Sequence, residues 1–114
     1  MNLEELRASL REFVRERDWE QYHDAKNLAT GLSIEASELL ELFLWTRTED
    51  SAEHAEQIKE RLSEEIGDVF LYCLMLADTV GIDLIEAARS KLVKNAEKYP
   101  VELAKGRSEK YDKL

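Results

Sequence analysis

Residues 34–45, IEASELLELFLW, and residues 64–72, EEIGDVFLY, decide the fold, because each sets two acids beside an apolar stripe at helical spacing. At about 100° per residue with Glu35 at zero, Leu28, Leu32, Ala36, Leu39 and Phe43 fall at about 20° to 100°, and Glu38 falls at about −60°. With Glu65 at zero, Leu62, Ile66, Val69, Cys73 and Leu76 occupy the same arc and Asp68 lies near −60°, at about 100° per residue. Both acid pairs therefore flank an apolar stripe. If the two helices pack antiparallel through those stripes, four carboxylates converge at one rim of the core.

Working outward, the spacing of Leu3, Leu6, Leu10, Phe13 and Val14 predicts a first helix over residues 2–17, followed by a polar connection to Lys26. A second helix is expected over 25–46, capped by Asp24. Asp50 with Glu53 has the form of a capping box opening a third helix that runs to Val80 and ends at Gly81. Asp83 with Glu86 repeats that form for a fourth helix, which Pro100 stops. The last fourteen residues are expected to form an extended arm. The expectation is an all-α, four-helix, bundle-like fold in a single domain over residues 1–114.

Composition narrows the function classes. The chain has 114 residues, 44% of them apolar, with four glycines and one proline, which suits long helices and opposes disorder. A net charge of −9 without a basic cluster argues against a nucleic-acid polymer or an anionic membrane as partner. The acidic balance still admits a small polyanion if divalent cations invert the local field. MNLEELRASLREF lacks the apolar core of a signal peptide and no stretch is long enough to span a bilayer, so a cytoplasmic protein is expected. Cys73 is the single cysteine, so no intrachain disulfide can form, and its apolar run suggests a buried, inert thiol.

Oxygen-only ligands such as Glu35, Glu38, Glu65 and Asp68 suit a hard ion, Mg²⁺ with Mn²⁺ as a substitute, whereas zinc brings histidine or cysteine. The plain alternative is solvated surface, which accounts for most of the 25 acids. A di-iron carboxylate bundle requires two Glu-x-x-His units, and only Glu20 to His23 has that form. Tyr72 follows Asp68 by one turn and Trp45 follows Glu38 by about two, on the carboxylate side, where an aromatic ring stacks on a base or simply packs. Asn95 lies within the stripe of Ala88, Leu92 and Ala96 and is bordered by Lys91 and Lys98. It reads either as base or ribose recognition with phosphate-binding lysines, or as a structural hydrogen bond.

Taken together, Glu35-x-x-Glu38, twenty-six intervening residues and Glu65-x-x-Asp68 resemble the metal signature of the all-α NTP pyrophosphohydrolases, the MazG-like group. ERDWEQYH at 16–23, Asn27-Leu28, IEASELLELFLW, EEIGDVFLY and SKLVKNAEKYP at 90–100 look like its dCTP pyrophosphatase branch, and the similarity runs to the closing RSEKYDKL. The resemblance implies that Glu35, Glu38, Glu65 and Asp68 ligate magnesium. It places Trp19, Trp45, Tyr72 and Asn95 around the nucleotide, with Lys91, Lys98 and Tyr99 as weaker carry-overs for phosphate or sugar. It also implies a homodimer or homotetramer with pockets near subunit interfaces. The pattern departs at Leu10, where the branch often carries a histidine, so the reaction is better specified than the base.

The implied reaction is hydrolysis of a (deoxy)nucleoside triphosphate, dCTP or a modified dCTP, to the monophosphate and pyrophosphate. Water attacks the α-phosphorus, with charge neutralised at the metal and Glu38 the choice for general base. The alternatives are a nucleotide-binding module without catalysis and a helical protein-interaction module. Retention of two acid pairs favours the enzyme, because binding a base alone does not need them.

Overall fold

The computed structural model describes residues 1–114, which form α-helices and 3₁₀ turns and no strand. Four long helices are present: α1 (Leu3–Glu16), α2 (Ala25–Glu41), α4 (Lys59–Val80) and α5 (Leu84–Lys98). Two short ones, α3 (Ser51–Gln57) and α6 (Val101–Ala104), complete the set. The chain falls into two compact units, residues 1–82 and 83–114.

Three of the long helices begin where a short polar side chain satisfies a free backbone amide. Asn2 accepts from the Glu5 N–H at 2.9 Å, Asp24 from Asn27 at 2.7 Å and Asp83 from Glu86 at 2.9 Å. All three caps have extended backbones, with ψ of 178°, 167° and 111°. At the far end of α4, Gly81 takes φ 73° and the Ile82 N–H reaches back to the Ala77 carbonyl at 2.8 Å, a Schellman stop that glycine permits without strain.

The second helix ends at Glu41, well before residue 46. The Leu42, Phe43 and Leu44 amides bond to the carbonyls of Leu39, Leu40 and Glu41, tightening the last turn, and Trp45 reverses the chain at φ 68°. The His54 imidazole donates from Nε2 to the Leu42 carbonyl at 2.6 Å, occupying an acceptor that a continuing helix would use internally. The expected third helix is two helices, broken at Ile58 with φ −106° and ψ 19°. Asp50 does not cap α3, because it sits in a 3₁₀ turn with helical torsions (φ −100°, ψ −3°) that turn its side chain away from the amides it would accept from.

Within residues 1–82, α2 packs along α4 and α1 lies on α4. Val14, Leu28, Leu74 and Ala77 form the buried core. Arg11 ties α1 to α4 through a two-pronged pair with Asp78, Nε to Oδ2 at 2.7 Å and Nη2 to Oδ1 at 2.5 Å. That pairing holds the Asp78 carboxyl below its ordinary range. The predicted stripe of α4 is displaced: Leu62, Val69, Cys73 and Leu76 are half-buried and Ile66 is exposed, because the face that meets its neighbours runs through Leu74 and Ala77. Cys73 is therefore half-buried rather than sealed.

Within residues 83–114, Pro100 ends α5 as expected and then serves as the N-cap of α6. The tail is not simply extended. It carries α6 and a 3₁₀ turn at Tyr111–Lys113, because Tyr111 meets Tyr99 edge-on (centroids 6.3 Å apart) and takes the Lys98 ammonium over its ring at 4.9 Å.

Candidate metal and nucleotide site

The facing surfaces of α2 and α4 bring three of the four candidate acids within reach of one ion. One carboxylate oxygen from each of Glu35, Glu38 and Glu65 lies within 4.8 Å of the others. Asp68 stands beside this group, close enough for its charge to act on Glu35 and Glu65. Burial comes first in raising the Glu35 carboxyl from its usual value to about 6, followed by its hydrogen bond to Glu38 and the charges of Glu38, Asp68 and Glu65. Glu65 is raised as well, first by burial and then by Glu38, Asp68 and Glu64, with Arg61 opposing.

The donor set fits a hard cation on a specific observation. Oε2 of Glu35 and Oε2 of Glu65 are each buried without a hydrogen-bond partner. A carboxylate oxygen withdrawn from water and left unpaired is costly, and two of them on facing helices are satisfied together by a shared positive charge. The residues that would hold the ion are Glu35, Glu38 and Glu65, with Asp68 adjoining. All supply oxygen, the chemistry of Mg²⁺ and Mn²⁺ sites.

Depressions open on two sides of the cluster. One, of about 270 Å³, is lined by Leu10, Phe13, Val14, Trp19, His23, Glu35, Asp68, Leu71, Tyr72 and Met75. It joins two acids to the rings of Phe13, Trp19 and Tyr72, and Trp19 is held by an edge-to-face contact with Phe13, centroids 5.7 Å apart. The other is polar and is lined by Glu38, Glu41, Leu42, His54, Ile58, Arg61 and Glu65. Arg61 is the one lysine or arginine in either lining.

Sequence reasoning anticipated Trp19, Tyr72, Glu35 and Asp68 in the aromatic cleft, and Leu10 lines it too. Trp45 stands elsewhere, 92% exposed in a shallow depression with Thr46, Arg47, Asp50, Glu53, His54 and Gln57. The reversal of the chain at that residue turns it away from this cleft. Lys91, Asn95, Lys98 and Tyr99 lie in residues 83–114, where Asn95 is half-buried on α5 and Lys98 and Tyr99 pack on Tyr111. Sequence reasoning missed Phe13, Val14, Leu71 and Met75 as cleft walls, because an apolar period reads the same for core and cleft. His23 enters the sequence reading as the partner of Glu20 and within ERDWEQYH, not as a cleft residue. Its place after a 3₁₀ turn leaves no periodic signal.

Fold and side chains together define an all-α protein with a carboxylate cluster beside an aromatic cleft. The MazG-like family profile matches residues 31–114. Two mammalian relatives, both named dCTP pyrophosphatase 1, are 43% identical in Rattus norvegicus and 40% identical in Homo sapiens. In each case the match covers 98% of this chain and 67% of the relative. The crystal structure of a pyrophosphatase from Archaeoglobus fulgidus superposes with a TM-score of 0.83 at 48% identity, covering 86% of this chain and 92% of that one. The chain belongs to the MazG-like family.

Proposed function

We propose that this protein is a nucleoside triphosphate pyrophosphohydrolase that cleaves dCTP or a modified dCTP to the monophosphate and pyrophosphate. It acts with Mg²⁺, or Mn²⁺ in substitution, held by Glu35, Glu38, Glu65 and Asp68, and residues 1–114 work as one MazG-like domain. The observation that carries the reading is the pair of unpartnered buried oxygens on Glu35 and Glu65, set next to a cleft walled by Trp19 and Tyr72. The relatives' names supply the substrate.

A divalent ion held by these acids would supply positive charge against the triphosphate and acidify the attacking water. The protein's own groups do the rest. Trp19 and Tyr72 offer flat faces to a base, and Phe13 fixes the Trp19 ring. Glu38, the exposed member of the triplet and hydrogen-bonded to Glu35, is the proposed base that takes the proton from water. Arg61, beside Glu38 and Glu65, is placed to meet the charge of the departing pyrophosphate. Lys91, Asn95, Lys98 and Tyr99 are proposed for phosphate and sugar contacts. With Leu10 in the cleft wall, the base meets a hydrocarbon where the branch often has an imidazole. A turnover screen over canonical and 5-modified nucleoside triphosphates, with and without Mg²⁺, tests this reading. Absence of metal-dependent pyrophosphate release from any of them would remove it.

The proposed assembly is a homodimer or homotetramer in the cytoplasm that removes unwanted nucleotides from the pool. Exposed Ile34, Leu40, Leu44 and Trp45 on α2 and its end, with Ile66 and Phe70 on α4, give residues 1–82 more uncovered apolar side chains than a lone chain of this size needs. A second copy of the chain is the proposed cover for these side chains. Sedimentation equilibrium should return at least a dimer, and a monomer at micromolar concentration would count against it.

The raised Glu35 carboxyl gives a signed pH dependence. Between about 4.5 and about 6 the metal-free fold holds a proton that the unfolded chain has lost, so this site adds stability at low pH. That contribution disappears as pH rises through about 6 and Glu35 ionises among its neighbours. Mg²⁺ must displace the same proton, so its binding strengthens over that rise. The Mg²⁺-induced increase in Tm should therefore grow from about pH 5 to about pH 7.5. A shift of equal size at both ends would contradict the assignment.

A further inference from the structure

Gly31 sits in the interior of α2, one turn before Glu35, and Tyr72 sits on α4, one turn after Asp68. The Tyr72 ring lies against the bare Cα of Gly31. A Cβ built there would stand 2.8 Å from Cζ and 2.9 Å from Cδ1 of the ring, and nearer still to Cε1. Atoms of a rigid ring cannot yield at that distance one by one, so the whole ring would have to turn. Gly67, the other glycine inside a helix, has nothing within 4 Å of the same position. A helix-interior glycine is worse than alanine in propensity, so close approach of the ring supplies a reason for Gly31 that Gly67 lacks.

Tyr72 also lines the aromatic cleft with Trp19, Glu35 and Asp68. Its ring is bounded by α2 on the side of Gly31 and by its own helix, and the open side is the cleft. We propose that Gly31 is a specificity-determining positioning residue: by letting the Tyr72 ring seat against the α2 backbone, it keeps that ring out of the cleft and sets the width left for the base. This rests on the cleft being the nucleotide site. A methyl group at residue 31 would drive the ring toward the base, so a base carrying one additional group suffers first.

The test is a double-substitution cycle on the full chain, with Gly31→Ala, Tyr72→Ala and the pair, read by Tm and by KM and kcat for dCTP and 5-methyl-dCTP. Gly31→Ala alone should lower Tm and raise KM for 5-methyl-dCTP by about tenfold more than for dCTP, with kcat much less affected, since one methyl group is worth about that factor in a fitted pocket. In the Tyr72→Ala background the same change should raise Tm and leave the ratio of KM values unaltered, and Gly67→Ala should raise Tm as a control. A Tm gain from Gly31→Ala in both backgrounds, or a KM ratio that does not move, overturns the proposal. The thermal cycle needs no nucleotide, so it judges the ring contact by itself. Lack of turnover in the unsubstituted protein would instead overturn the proposed function and the substrate part of this inference with it.

Discussion

Glu35→Gln and Glu65→Gln are each expected to lower kcat/KM by about 10²–10³-fold, the scale of losing one preorganised charge contact to a transition state. Each replaces a carboxylate whose buried Oε2 has no protein partner. An amide keeps the shape and removes the charge that the cation needs. The same substitutions relieve repulsion in the cluster formed with Glu38 and Asp68, so the metal-free Tm should hold or rise while the Mg²⁺-induced increase is lost. That combination separates a missing ligand from a damaged fold. Thermal unfolding with and without Mg²⁺ supplies both readings, and a coupled pyrophosphate assay supplies kcat/KM. Turnover within a few-fold of the parent in either variant would show that the ion, if any, is held elsewhere.

Leu74→Ala is the second large effect, and it falls on stability. Leu74 and Leu28 are the two large side chains that are fully buried, each 1% exposed, and the whole buried core comprises four residues. Truncating a leucine in such a place costs about 2–5 kcal/mol, out of about 5–15 kcal/mol for a typical domain. So thin a core cannot distribute the cavity over many neighbours. Urea unfolding of the full chain should show the midpoint fall with little change in slope. A loss below about 1 kcal/mol would mean that Leu74 is not the anchor its burial implies.

Local chemistry made the long helices readable. Asp24 and Asp83 each cap the amide three residues on, and Gly81 stops α4 in the left-handed conformation. Asp50 has the same sequence form as Asp83, but its backbone is helical, a difference decided by how the 42–50 connection folds rather than by the residues near it. The end of α2 was illegible for a related reason. Leu42, Phe43 and Leu44 continue an apolar helical run, yet their amides close tighter turns, Trp45 reverses the chain, and the His54 imidazole from twelve residues away takes the Leu42 carbonyl. The break at Ile58 carries no glycine or proline to announce it.

The site divides along the same line. Spacing alone puts Glu35, Glu38, Glu65 and Asp68 on matching edges of two helices; the oxygens of the first three meet, and Asp68 stands beside them. Trp19 came only from resemblance, since the 3₁₀ turn after it has no period to read. Trp45 sits on the carboxylate side of an ideal helix, and the helix ends before reaching it. Gly31 was silent because no pattern in α2 records how close a ring from α4 comes to its backbone.

Metal-dependent hydrolysis at the α-phosphorus is tested most directly by identifying the products made from dCTP in H₂¹⁸O, with Mg²⁺ and with a chelator. The expected products are dCMP carrying the label together with unlabelled pyrophosphate, with none formed in the chelated sample. Formation of dCDP and orthophosphate, label in the pyrophosphate, or equal turnover without metal would contradict it.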